Sequence, residues 1–446
     1  MVNNFISFAS GCDRLAILMI ALCVFMGLCV GSFAARYMKG DSQYHSFFIQ
    51  LILLIISVSG MASSDNLILF LIAWCLSSLV LVRLMIHKPN WRAAKASGIM
   101  AAKNYALNVL CMGAAFLILY LATGETSINA INHQDAHSLS MQLALILILL
   151  AAMMLSAIWP FHRWLISSLN SPTPVSAVMH AGLVNGGGFL LVRFAPLYLQ
   201  HPPLLTLIFV IGLVTALLGT WWKLMQSDVK RMLACSTMGQ MGFMIAQCGL
   251  GLFPAAVAHL IWHGMFKAHL FLGSGSAAQE KRFDLGYPPK PLTFICALVC
   301  GLTGSLAFAW VSNKSWLVDD TTLVLLIITF MAGSQFALPM VRFKPLGNLP
   351  LAFIFTGVGG LLYGFSVQII AWLMEPMGLM QPQPLNGIHI IGILVLTLAW
   401  LSILFLRSQE KTMPMPGWAL RAYVAALNSS QPHPSTVTAH RNQYQY

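Results

Sequence analysis

Apolar runs of membrane-spanning length follow one another along almost the whole chain, each closed by a short polar connection. A spanning α-helix needs about 20 apolar residues, so 446 residues have room for roughly a dozen. Only 8% of the residues are charged, against 58% hydrophobic, whereas a soluble globular chain carries about 25% charged residues. A soluble fold of this composition could not cover its own surface. The expected fold class is an all-α polytopic membrane protein.

Thirteen segments can be marked, at about 14–35, 47–62, 64–87, 104–123, 139–161, 173–195, 203–225, 229–250, 255–276, 291–311, 321–341, 349–373 and 386–406. The second is short and the sixth is interrupted. Ser32-Phe33-Ala34 has the small-x-small form of a signal-peptide cleavage site. However, the apolar run from Leu15 is too long for a signal-peptide core and no basic region precedes it. A retained first span is expected.

The basic residues alternate. One set of connections holds Arg36 and Lys39; Lys88, Arg92, Lys95 and Lys103; Arg163; Lys230 and Arg231; Lys281, Arg282 and Lys290; Arg342 and Lys344; Arg407 and Lys411. The other set holds only Lys314, with Arg193 at a span end, and the connection Gly124–Ser138 holds none. Lys and Arg accumulate on the cytoplasmic side, which puts the N-terminus outside and the C-terminus in the cytoplasm. The net charge of +12 is therefore spread over short loops. It is not gathered into the basic, aromatic-interleaved patch that nucleic acid requires, and the expected surroundings are membrane lipid. The nine cysteines lie mostly inside apolar runs and form no CxxC pair. Cys296 and Cys300 lack further ligands nearby and read as packing residues, so no metal site and no cofactor are expected. Gly417–Asn428 fits a short amphipathic helix with Trp418 and Tyr423 at an interface or against a partner, and 431–446 reads as disordered.

Ionisable side chains inside spans are costly and are functional candidates by default. His259, His263 and Lys267 stand at i, i+4 and i+8, on one helical face. Imidazole titrates near neutrality and a buried lysine is pulled toward it, so such a stripe can pass a proton along. The competing reading has the three hydrogen-bonded within the bundle. His180 follows two helix-breaking prolines, Pro172 and Pro174, and precedes Asn185-Gly-Gly-Gly188, which permits close packing or unwinding. Asp228 and Lys230 open the eighth span. By residue type alone they are a cytoplasmic anchor with an acid favouring the helix dipole. None of the twelve Asp and Glu residues lies deep in a span.

The blocks Ser171–Leu183, Asp228–Met244 and His259–Ser276, together with Arg36–Asp41 and Asn66–Trp74, resemble the antiporter-like subunits of respiratory complex I and of Mrp sodium/proton antiporters. The similarity runs from about residue 13 to 315, roughly two-thirds of the chain. It implies two inverted five-helix repeats with broken helices. The chain would divide as 1–46, an N-terminal span; 47–200 and 201–345, the repeats; 346–406, C-terminal spans; and 407–446, a cytoplasmic tail.

There are departures from the pumping subunits. Cys75 follows Trp74 where they carry Glu, and Leu155 precedes Ser156-Ala157 where they carry Lys. The first half-channel has lost its Glu/Lys pair and the second keeps His259, His263 and Lys267. Lys314 stands one place off the terminal-Lys pattern.

With Trp74-Cys-Leu-Ser-Ser78-Leu79 and His180–Asn185, the chain looks like a diverged branch, the DabB family of membrane subunits of DAB inorganic-carbon transporters. That resemblance implies a bacterial inner-membrane transporter subunit, not an enzyme. Cation flux, of protons or sodium, through Lys267, His263, His259, His180, Lys230, Asp228 and Lys314 would drive a large cytoplasmic zinc carbonic-anhydrase-like partner of the DabA type. Zinc would sit in that partner and not here. The alternatives are a proton-translocating subunit of a complex I-like or Mrp-type assembly, and a passive membrane anchor.

Overall fold

Helices begin where the sequence supplies a cap. Asp13 starts α1 (Arg14–Tyr37) by accepting from Ala16 N at 2.7 Å. Asn66 starts α3 (Leu67–Met85), which follows α2 (Tyr44–Ser63), and accepts from Ile68 N and Leu69 N. Gly124, at φ +73°, ends α4 (Arg92–Thr123) in the left-handed region that favours glycine. Ser138 caps α5 (Leu139–Leu155). These side chains satisfy amides that a helix start leaves open. The structure, a computed structural model, describes residues 13–278, 288–316, 319–405 and 416–437. Lys281, Arg282, Arg407 and Lys411 lie outside them.

The sixth segment is broken, as its prolines and glycines suggest. α6 (Thr173–Ala181) stops at Gly182, a short 3-10 turn covers Leu183–Asn185, and α7 (Gly186–Arg193) resumes. Then follow α8 (Pro202–Met225), α9 (Val229–Gly249), α10 (Phe253–Leu272), α11 (Pro291–Val311), α12 (Thr322–Val341), α13 (Pro345–Met374), α14 (Gly387–Phe405) and α15 (Gly417–Ser429). Among the described residues strand pairing is limited to isolated bridges. Ten helices are long and apolar enough to cross a membrane, with α6 and α7 counted as one. All thirteen apolar segments of the sequence fall on helix. The other three are α5, apolar but short, and α9 and α10, which are of spanning length but more polar.

Large apolar side chains point outward all around the bundle, among them Leu28, Leu110, Leu121 and Trp310. Such surface is stable against lipid and not against water. The chain is a multi-pass membrane protein.

Four details differ from the sequence reading. The second segment is a full helix of 20 residues, because Tyr44, His45 and Ser46 join its first turn. The fourth begins at Arg92 rather than near 104, since Ala, Lys and Arg carry helix propensity beyond the apolar run. The fifth ends at Leu155, not 161: Ala157 takes φ +53° and Pro160 offers no amide donor. Ser156 then bonds Val184 O at 2.6 Å, tying this end of α5 to the broken helix. In the tail, 431–437 is placed, contrary to the expectation of disorder. Gln431 accepts from Arg231, His433 N donates to Ser167 Oγ at 3.0 Å, and Asn170 donates to Thr436 O at 2.8 Å. The polar tail finds partners there for its own backbone groups.

Two packing features position the site. Helices α8 and α9 meet along a seam of glycines, where a Cβ on Gly219 would sit 2.3 Å from Gly239 N and one on Gly242 2.5 Å from Ala216 N. Backbone lies on backbone along this seam. Helix α10 is lodged between α6, α9 and α13. At the end where α1 begins, Asp13 pairs with the buried Arg193, which also donates to Ser64 O at 3.0 Å.

Candidate functional site

Helix α10 carries three ionisable side chains on one face because His259, His263 and Lys267 are spaced by about one turn each. His259 to Lys267 covers about 12 Å along the axis. Lys267 is 0% exposed, His263 is 5% and His180, on α6, is 2%. Lys267 lies five residues before the end of α10, and α9 begins at that same end. Its Nζ donates to Leu233 O, on α9, at 3.2 Å. Among the described residues no carboxylate lies within ion-pair distance of it.

His180 joins the same acceptor through one residue. Thr237 Oγ1 donates to Leu233 O at 2.9 Å, and its oxygen lies 3.1 Å from His180 Nδ1. A hydroxyl that donates back to its own helix keeps its lone pairs for a neighbour, so His180 donates from Nδ1. Phe271 stacks on the His180 ring, centroids 4.2 Å apart, and holds its plane.

His263 sits at the break of the neighbouring helix. Gly264 allows this approach: a Cβ there would come within 2.8 Å of Ala181 O. His263 Nδ1 is 3.3 Å from Asn185 Oδ1. The rings of His263 and His259 stack with centroids 5.9 Å apart. The Nε2 atoms of both are buried with no hydrogen-bond partner among the described residues. Buried polar atoms are nearly always satisfied, and these two orphans stand in one row on α10. Beyond His259 opens a cavity of about 430 Å³ lined by Gln240, Phe243, His259, Thr329 and Tyr363.

The other candidates stand apart from this cluster. Lys230, at the α9 start, donates to Ser171 O at 3.2 Å, next to the beginning of α6. Asp228 caps α9 by accepting from Arg231 N at 2.8 Å, which is an anchoring role. Lys314 follows α11 at the opposite end, half-buried, where burial lowers its pKa and Asp320 opposes the shift. It does not join the row on α10.

The corresponding region of the first half is wired differently. Trp74 Nε1 donates to Asn108 Oδ1 at 2.6 Å and Asn108 Nδ2 donates to Ala151 O at 2.5 Å. All three are buried and none titrates near neutral pH. Leu155 packs over Gly186, whose absent Cβ would lie 2.5 Å from Leu155 Cδ2. The side chains that join these helices of the first half are thus a neutral indole, a neutral amide and an aliphatic group.

Sequence reasoning did not single out Asn185, Thr237 or Asn108. A polar side chain in the middle of an apolar run was their signal, and each proves to be a hydrogen-bond junction. Among the described residues no group of three His, Cys, Asp or Glu side chains gathers as a metal would require.

Residues 64–286 match the family described as "NADH:quinone oxidoreductase/Mrp antiporter, TM", and residues 2–48 match "NADH-Ubiquinone oxidoreductase (complex I), chain 5 N-terminus". The chain is 36% identical over 357 residues to the inorganic carbon transporter subunit DabB1 of Halothiobacillus neapolitanus, covering 78% of this chain and 62% of that one. It is 32% identical over 434 residues to the subunit DabB of Bacillus anthracis, covering 95% and 84%. Against DabB of Bacillus subtilis the identity is 38%, over 59% of this chain and 53% of that one. In two of these three comparisons the chain therefore spans less than two-thirds of the relative's length. Among solved structures, the Mrp complex from a Dietzia species superposes with a TM-score of 0.66 at 22% identity, over 94% of this chain and 52% of that one. That likeness concerns the fold. The chain belongs to the complex I/Mrp antiporter superfamily and, within it, to the family of DabB inorganic carbon transporter subunits.

Proposed function

We propose that this chain is the ion-conducting membrane subunit of an energy-coupled inorganic-carbon transporter in a bacterial inner membrane. Its basic connections, those of Arg36, Lys95, Arg163 and Lys230, would face the cytoplasm. A cytoplasmic zinc carbonic-anhydrase-like partner would bind that side, and cation flux through this subunit would drive one-way hydration of CO2 there. The chemistry favours protons over sodium. The groups are two buried imidazole rings, those of His180 and His263, a half-buried third, His259, and a buried ammonium, while sodium sites are built from oxygen ligands. The path would run from Lys230 past His180 and Lys267 to His263, His259 and the cavity beyond, with Asp228 anchoring its entrance and Lys314 near its far end.

The observation that carries this reading is the row His180, Lys267, His263 and His259, set beside the neutral Trp74, Asn108 and Leu155 of the first repeat. The second repeat would carry most of the path, and the first would contribute His180 beside its helix break. A passive anchor has no use for an ammonium buried without a counter-ion, since such a group costs about 2.5–3.5 kcal/mol at a helix centre.

The test is growth of a carbonic-anhydrase-deficient bacterium in air. This chain alone should fail to rescue it, and this chain with the zinc partner should succeed and should co-purify with zinc in mild detergent. Rescue by this chain alone would place the hydration chemistry here and overturn the division of labour. Co-purification with a quinone-reducing assembly would move the chain to redox-linked pumping.

A further inference from the structure

The break between α6 and α7 strips one backbone acceptor of its helical partner. In an uninterrupted helix the amide of Asn185 would bond the carbonyl of Ala181, four residues back. Here that amide bonds Gly182 O instead, at 3.0 Å. The freed Ala181 O is taken up by the side chain of the same residue: Asn185 Nδ2 donates to it at 2.7 Å. A carbonyl can only accept, so this bond settles which end of the Asn185 amide is nitrogen. The oxygen, Oδ1, then points across the α6–α10 contact to His263 Nδ1 at 3.3 Å. An amide oxygen can only accept, so Nδ1 carries a hydrogen. In the neutral ring the remaining nitrogen, Nε2, is therefore a bare lone pair, and it is the buried atom without a partner.

We propose that Asn185 is a positioning residue that locks His263 in the Nδ1–H tautomer, so that His263 takes up and releases its proton at Nε2 alone. The inference rests on reading α10 as a proton path. The balance is simple. Nε2 accepts a proton from the Lys267 side and becomes an imidazolium nitrogen; the same Nε2–H bond then breaks toward His259, while Nδ1–H stays bonded to Asn185 throughout. A ring that passes protons from one nitrogen to the other must flip or change tautomer between turnovers. A ring pinned at Nδ1 needs neither, but its donor and its acceptor must both reach one atom. The titratable groups facing His263 are His259 and Lys267 on its own helix and His180 on α6.

The test reads the tautomer directly, by nitrogen-15 spectra of histidine-labelled full-length protein in lipid bilayers near pH 8, where imidazole is neutral. The chain has 13 histidines, so His263 is assigned as the signal lost in His263→Gln. The expected wild-type pattern is a protonated Nδ1 and an unprotonated Nε2. Asn185→Leu, which removes the acceptor, should shift that signal to a mixture or to the Nε2–H form. Asn185→Asp keeps an acceptor, loses the bond to Ala181 and adds a negative charge, so Nδ1 should stay protonated, in the neutral ring or in the imidazolium. A wild-type Nε2–H ring, or an Asn185→Leu spectrum identical to wild type, overturns the inference. If Asn185→Leu does not fold, the wild-type and Asp spectra still decide. Ion flux is measured on the same samples. The expected tautomer in a protein that moves no cation counts against the conduction reading and leaves the lock in place.

Discussion

Lys267 and Thr237, on adjacent helices, donate to one acceptor, the backbone carbonyl oxygen of Leu233, at 3.2 and 2.9 Å. A lysine held by a carbonyl is held less tightly than one paired with a carboxylate, because no countercharge opposes loss of its proton. The shared acceptor also links His180 to Lys267 through the Thr237 hydroxyl, so the two titrating groups touch one hydrogen-bond junction without touching each other.

Lys267→Ala is expected to lower carbon uptake by about 100-fold or more, the scale of losing a proton-transfer group, while the complex stays assembled. Removing the buried ammonium relieves about 2.5–3.5 kcal/mol, and losing the packed side chain costs about 2–5 kcal/mol, so the two roughly cancel. The checks are uptake in cells and co-purification of the partner. Wild-type uptake with unchanged uncoupler sensitivity would remove Lys267 from the mechanism and favour a scaffold role.

Gly264→Ala places a methyl group 2.8 Å from Ala181 O, well inside contact. Helix α10 must move away from the break or the break must deform, at an expected cost of about 1–3 kcal/mol. Thermal unfolding in detergent should show a lower midpoint, and uptake should fall with it. An unshifted midpoint would mean that the contact between α6 and α10 is looser than the carbonyl position indicates.

In the first half, Asn108→Leu leaves the buried Trp74 Nε1 without a partner and removes the second bond to Ala151 O, so stability should drop by about 1–3 kcal/mol. Cation flux per folded complex should be unchanged. Leu155→Lys is the converse: it sets a charge over Gly186 and should create no new flux. Loss of flux in correctly assembled Asn108→Leu protein would show that this half conducts as well.

Orientation can be read by cysteine labelling in a background lacking the nine native cysteines. Cysteines at Lys95 and Lys290 should react only from the cytoplasmic side, and cysteines within 124–138 and 376–385 only from outside. Reversal at any two of these positions would rule out the thirteen-span topology.

The spans were legible because apolar length is a local property, and the row on α10 because i, i+4 and i+8 is a local spacing. His180 was legible from its prolines. What brings it to Lys267 was not, since Thr237 and Leu233 act through a hydroxyl and a carbonyl that any helix carries. In the sequence Asn185 is an ordinary amide before three glycines. Its role depends on the chain turning at Gly182, which frees one particular oxygen, and on Gly264 letting another helix reach it. Lys314 was singled out by its nearness to the terminal-Lys pattern of the resemblance and lies apart from the row, because the distance between two helices is not written in either one. The tail at 431–437 has the composition of a disordered segment, yet its partners lie far off in the chain, Ser167 and Asn170 in the connection before α6 and Arg231 in the first turn of α9.

The glycine seam between α8 and α9 has a mechanical consequence. With Gly219 against Gly239 and Gly212 against Gly242 at backbone contact, neither helix can slide past the other without driving peptide groups together. The pair behaves as a stator. The Leu233 carbonyl is fixed to it, and so is Thr237. On the conduction reading proposed above, a lysine that leaves the Leu233 carbonyl would do so by moving its own side chain or helix α10, while the seat stays where the seam holds it.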